Sequence, residues 1–125
     1  MPARFFTPAE ANALLPEIRP LMGELLERQA RVATHHRELG AMLQYAHHNV
    51  GSPLGNRMVQ DFEAMEQLLA AIRAYGCIVK DLRLGVVDFL GLVDGREVYL
   101  CWRYGESQIT AYHDLDSGFN GRRPL

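Results

Sequence analysis

A chain of 125 residues, 48% of them hydrophobic, has the size and composition of one globular domain. Its net charge of -2 leaves no basic excess to neutralise phosphates, so general nucleic-acid binding is not expected. Two cysteines cannot frame a disulfide-rich fold, the N-terminus lacks an apolar stretch of signal-peptide length, and no apolar run is long enough to span a membrane. A cytoplasmic protein is the default expectation, with Cys77 and Cys101 as unpaired core residues.

The first predicted element is a helix over residues 7–48. Thr7-Pro8-Ala9-Glu10 combines a capping hydroxyl, a proline suited to the first turn and a capping-box glutamate. Phe6 is placed to staple onto that turn. Pro16 and Pro20 lie inside the helix and predict a kink near residues 12–16. Ile18, Leu21, Leu25, Val32, Leu39, Met42 and Ala46 form a heptad-like stripe, with Arg28 and His35 filling two of its slots. Residues 49–56 read as a loop. A second helix over 57–75 carries the seam Met58, Phe62, Met65, Leu69 and Ile72, and Gly76 stops it.

Beyond Gly76 the period changes to alternation. Strands are predicted over 77–80, 85–91, 97–103 and 108–113, with turns at Asp94-Gly95 and around Gly105-Glu106. Centring the first turn places Phe89 opposite Leu100 and Val87 opposite Trp102. Centring the second places Trp102 opposite Ile109, Leu100 opposite Ala111 and Val98 opposite His113. One face then collects the apolar residues together with His113 and should pack on the helices. Asp88, Tyr99, Cys101 and Arg103 fall on the other. A bulge in either turn would shift the pairing by one residue and invert this assignment. The fold class is α+β: a long antiparallel helical hairpin (about 7–75) packed on a small antiparallel sheet of three or four strands (about 77–113). A glycine-rich tail (114–125) completes a single domain.

The histidines are the first candidates for chemistry, because imidazole titrates near neutral pH and ligates metals. His35 and His113 can converge if the sheet packs over the middle of the first helix, with Glu24, Glu27 or Glu38 adding a carboxylate. Their spacing matches no zinc signature, and a hydrogen-bonded histidine in an interface explains them as well. His47-His48 suits the C-terminal end of the helix dipole. Glu106 and His113 lie at opposite ends of one predicted strand, roughly 20 Å apart at ~3.3 Å per residue, too far to form an acid–base pair unless the last strand bends back. No nucleophile motif, P-loop or C-x-x-C is present.

The tail segment Gly118-Phe119-Asn120-Gly121-Arg122-Arg123 can present backbone amides and a guanidinium fork to a phosphate or carboxylate. Alternatively it wraps the sheet, with Phe119 plugging a gap. Arg122 can fold back towards His113, or pair with Asp114 or Asp116. The candidate ligand-binding residues are therefore His113, Glu106, Arg122 and Asp88, with His113 and His35 as candidate metal ligands. The sequence names no cofactor.

Phe6-Thr7-Pro8 with Glu10-Ala11, Lys80-Asp81, Gly85-Val86-Val87-Asp88-Phe89, Gly95-Arg96-Glu97-Val98-Tyr99-Leu100-Cys101-Trp102, Gly105-Glu106, His113, and Gly118-Phe119 with Gly121-Arg122 together resemble the bacterial family called domain of unknown function 2203. The resemblance covers nearly the whole chain and implies a bacterial cytosolic protein. It brings no activity, substrate or catalytic residue. Two functions compete. One is a non-enzymatic interaction or scaffold protein, a homodimer through the long seam of its helices. The other is an enzyme binding a small molecule, anion or metal near His113 and the tail.

Overall fold

The computed structural model describes residues 4–45 and 53–125. His47, His48 and half of the predicted loop, residues 49–52, lie outside them. Helix α1 spans Pro8–Tyr45. Its start follows the predicted capping box: the Glu10 amide donates to Thr7 Oγ1 at 3.1 Å, and the Thr7 amide donates to Glu10 Oε1 at 3.0 Å. The helix continues through Pro16 and Pro20, both on its exposed side. Helix α2 spans Pro53–Arg73, so it begins four residues before the predicted position. The early start fits Pro53, whose missing N–H costs nothing in a first turn.

The buried face of α1 is Ala11, Leu15, Ile18, Met22 and Leu25. The facing row of α2 is Asp61, Met65, Leu68 and Ile72; it keeps Met65 and Ile72 of the predicted seam, but Asp61 and Leu68 are buried in place of Phe62, and Leu69 packs half-buried against the core. Phe62 is 50% exposed, whereas Asp61 is only 4% exposed. The cause lies on α1, where the predicted seam turns polar. Arg28 and Arg31 both donate to Asp61 Oδ1, at 2.9 and 3.0 Å, and draw the carboxylate inward.

The sheet has five antiparallel strands in the order β1 (Ile78–Asp81), β2 (Val86–Val93), β3 (Arg96–Arg103), β4 (Ala111–Asp114) and β5 (Arg123–Pro124). This corrects the expected three or four. The additional strand comes from the tail, where a 3-10 turn at Phe119–Gly121 swings the chain back beside β4. Along its other face, Val87, Phe89, Val98, Leu100 and Trp102 join the helices in one hydrophobic core.

Phe6 shares one buried cluster with Ala11 near the start of α1. It enters the core, with its ring edge-on to Phe89 at 5.2 Å and its amide donating to the Leu90 carbonyl at 2.8 Å. The chain passes so close to β2 that a Cβ on Gly91 would lie 2.7 Å from the Phe6 carbonyl oxygen. Only glycine leaves that space.

The register between β2 and β3 is the predicted one, with Phe89 opposite Leu100 and Val87 opposite Trp102. Between β3 and β4 it is shifted by one: Tyr99 faces His113, Leu100 faces Tyr112 and Cys101 faces Ala111. The connection is longer than a tight turn. Trp102 Nε1 donates to the Glu106 carbonyl at 2.9 Å, and the Ile109 amide donates to Asn12 Oδ1 at 2.7 Å, so the chain is held out as a loop before β4 begins. His113 therefore points away from the helices, contrary to expectation.

Candidate functional site

The shifted register gathers three side chains on the sheet face remote from the helices. Asp88 from β2 and Cys101 from β3 are directly paired, and His113 on β4 lies diagonally beside Cys101. Asp88 and Cys101 have no exposed surface, and His113 is 1% exposed. One oxygen of Asp88, one ring nitrogen of His113 and the Cys101 sulfur all lie within 4.8 Å of one another.

The protons of this cluster follow from its hydrogen bonds. His113 Nδ1 lies 2.9 Å from the Asp114 carbonyl oxygen, which can only accept, so Nδ1 carries a proton. Nε2 lies 2.8 Å from Asp88 Oδ2 and shares a single proton with it. Burial raises the Asp88 pKa, and the Cys101 thiol, His113 and Lys80 pull it only part of the way back. Burial also pushes the Cys101 thiol far up, reinforced by the charge of Asp88, with Arg122 working against it. The thiol is protonated and is not an activated nucleophile. Asp88 Oδ1 is buried with no hydrogen-bond partner.

The tail covers this face. Arg122 Nη1 donates to both oxygens of Glu106, at 3.0 Å each. Glu106 Oε1 also accepts the Arg103 amide at 2.6 Å. The Arg122 guanidinium stacks over Phe119, 4.2 Å from the ring centroid. Beside Phe119 a cleft of about 200 Å3 is lined by Lys80, Asp81, Val86, Asp88 and Gly118. At the mouth, Lys80 Nζ lies 4.9 Å from the centroid of Tyr99, whose ring packs on His113.

Of the predicted site residues, Asp88 and His113 meet directly, although the predicted register put them on opposite faces. Glu106 and Arg122 bind each other, and both act electrostatically on Cys101. Arg122 does not pair with Asp114 or Asp116; it is Arg123 that takes Asp114, at 2.6 Å. His35 does not converge with His113. It lies between the helices, its Nδ1 3.9 Å from Asp61 Oδ2. Sequence reasoning missed Cys101 as a site residue because a thiol in an apolar strand reads as core. Its predicted place on the same face as Asp88 was the available signal.

Cys77 is the contrasting thiol. It is buried, donates to the Ile72 carbonyl at 3.3 Å, and its pKa is pushed up to about 11 by burial. No helix among the described residues is long and apolar enough to cross a membrane. The family described as an uncharacterised conserved protein, DUF2203, matches residues 4–125. No curated protein and no solved structure matches the chain.

Proposed function

For a chain that belongs to the DUF2203 family of uncharacterised conserved proteins, we propose a metal-binding function, with Asp88, Cys101 and His113 holding a divalent transition metal. The observation that carries this reading is the buried meeting of an Asp88 carboxylate oxygen, the Cys101 thiol and a His113 ring nitrogen within 4.8 Å of one another, with Asp88 Oδ1 left without a hydrogen-bond partner. Buried polar atoms are normally satisfied, and a cation satisfies this one. The donor set of one nitrogen, one oxygen and one sulfur suits zinc. His113 is prepared as metal ligands usually are, with Nδ1–H anchored on a carbonyl and Nε2 turned to the donors. Binding displaces the shared Nε2–Oδ2 proton and the thiol proton, so affinity rises with pH. Three protein donors leave zinc a further position for water or a small ligand.

Cobalt titration of the purified chain tests the proposal. One equivalent should bind and produce a thiolate-to-cobalt charge-transfer band in the near ultraviolet. Cys101→Ser should abolish the band, and His113→Gln should weaken binding. Failure of the zinc- or cobalt-loaded protein to retain stoichiometric metal after desalting would reject it.

A second reading, an interaction protein that forms a homodimer through its helices, is favoured by Val59 and Phe62. They lie one turn apart on α2 and are 55% and 50% exposed. Sedimentation should then give a dimer that Phe62→Glu splits; a wild-type monomer at micromolar concentration rejects this reading.

A further inference from the structure

A second polar cavity lies between the helices, away from the sheet site. It measures about 310 Å3 and is lined by Arg28, Arg31, His35, Arg57, Gln60 and Asp61. Three guanidiniums face a single carboxylate there. Asp61 occupies one donor of Arg28 and one of Arg31, both on Oδ1. Glu24 takes part of Arg28 from outside, at 3.5 Å. A guanidinium has five N–H donors, so most of this donor capacity is unused. Two of the unused positions are buried: Arg28 Nε and His35 Nδ1 have no hydrogen-bond partner. Arg57, at the rim, makes no ion pair or hydrogen bond among the described residues.

We propose that this cavity binds the phosphate group of a small phosphorylated molecule. The observations point to an anion with several acceptor atoms. The three guanidiniums outnumber the carboxylates of Asp61 and Glu24, and the free donors sit on two helices facing a common space. Planar guanidinium forks match phosphate oxygens and bond them in pairs. Asp61 holds Arg28 and Arg31 in place before the ligand arrives, so the anion does not have to order them. The cavity has room for more than a bare phosphate, which favours a phosphate ester. The net charge of -2 for the whole chain argues against an extended nucleic-acid track.

Calorimetric titration of the full chain with inorganic phosphate and with pyrophosphate tests this site. Saturable one-to-one binding is expected, tighter for pyrophosphate. Arg57→Gln, a change at an exposed side chain with no ion pair among the described residues, should weaken it about tenfold, the effect of one charge-assisted hydrogen bond. Cys101→Ser should leave it unchanged, which separates this site from the proposed metal centre. Absence of saturable binding, or wild-type affinity in both Arg57→Gln and Arg31→Gln, would overturn the inference. So would a single-stranded oligonucleotide binding more tightly than pyrophosphate.

Discussion

Two buried aspartates, one between the helices and one in the sheet, stand in opposite protonation environments. Burial opposes the charge of both. At Asp61 that opposition is overcome by hydrogen bonds and charge from Arg28 and Arg31, and its pKa ends below the usual carboxylate range. At Asp88 burial wins, and the pKa ends above it. The difference lies in the partners. Guanidinium is charged at any ordinary pH and here keeps part of its surface in water. Imidazole and thiol can both be neutral, and in the sheet they are sealed from solvent. The helical node is therefore a fixed ion pair, while the sheet node can trade its protons for a cation.

The largest effect is expected where the two regions share a core. Trp102 is fully buried between sheet and helices. Trp102→Ala should cost about 3–5 kcal/mol in urea unfolding and weaken both regions together. A loss below about 1 kcal/mol would show that sheet and helices are stabilised separately.

Substitution of the two aspartates comes next. Asp61→Asn should cost about 1 kcal/mol at neutral pH, a modest value because both arginines are partly exposed. Asp88→Asn should cost less than Asp61→Asn in metal-free protein, since it removes a buried charge, while abolishing tight zinc binding. The reverse order of stabilities would break the comparison.

The pH dependence should separate the same pair. The lowered folded pKa of Asp61 gives stability that is present above the unfolded value of about 4 and lost as pH falls through the folded value. The raised folded pKa of Asp88 gives stability that is present below about pH 4 and lost as pH rises through the folded value. In metal-free protein, Asp61→Asn should flatten the acid limb of a Tm–pH curve. Asp88→Asn should gain on the wild type as pH rises towards neutrality. Parallel curves for the two variants would contradict the assigned directions.

The smallest stability effect should be that of Glu106→Gln, about 0.5 kcal/mol, because the Glu106–Arg122 pair is only partly buried. Its effect on access should be larger. Cys101 should react faster with a thiol reagent than in the wild type, and Cys77 should not. Equal acceleration of both would point to global unfolding instead of a loosened tail.

Much of this layout is legible in the sequence. Thr7 to Glu10 announces the start of α1. Asp94-Gly95 announces a two-residue hairpin, and both residues have the positive φ that such a turn needs, 52° and 79°. The register of β2 on β3 follows. The second connection was not legible, because its length is set by partners distant in sequence, above all Asn12 on α1. That one-residue difference moved His113 across the sheet and joined it to Asp88. The rotation of α2 was hidden for a similar reason. Phe62 completes a better apolar period than Asp61, and only the arginines on the opposite helix reverse the choice. The site residues were picked out one by one, but their partnership depends on long-range pairing that no local pattern encodes.

The covering of the sheet face has a kinetic consequence. Asp88 lines a cleft yet has no exposed surface, and Phe119, stacked under Arg122, forms a wall of that cleft. Arg122 is in turn clamped to Glu106, and Arg123 to Asp114. Exchange between the buried donors and bulk solvent must wait for this segment to peel away, a local opening that leaves the rest of the core intact. Association and release would then share one rate-limiting step, and whatever the site holds would have a lifetime set by the tail, independent of its concentration outside.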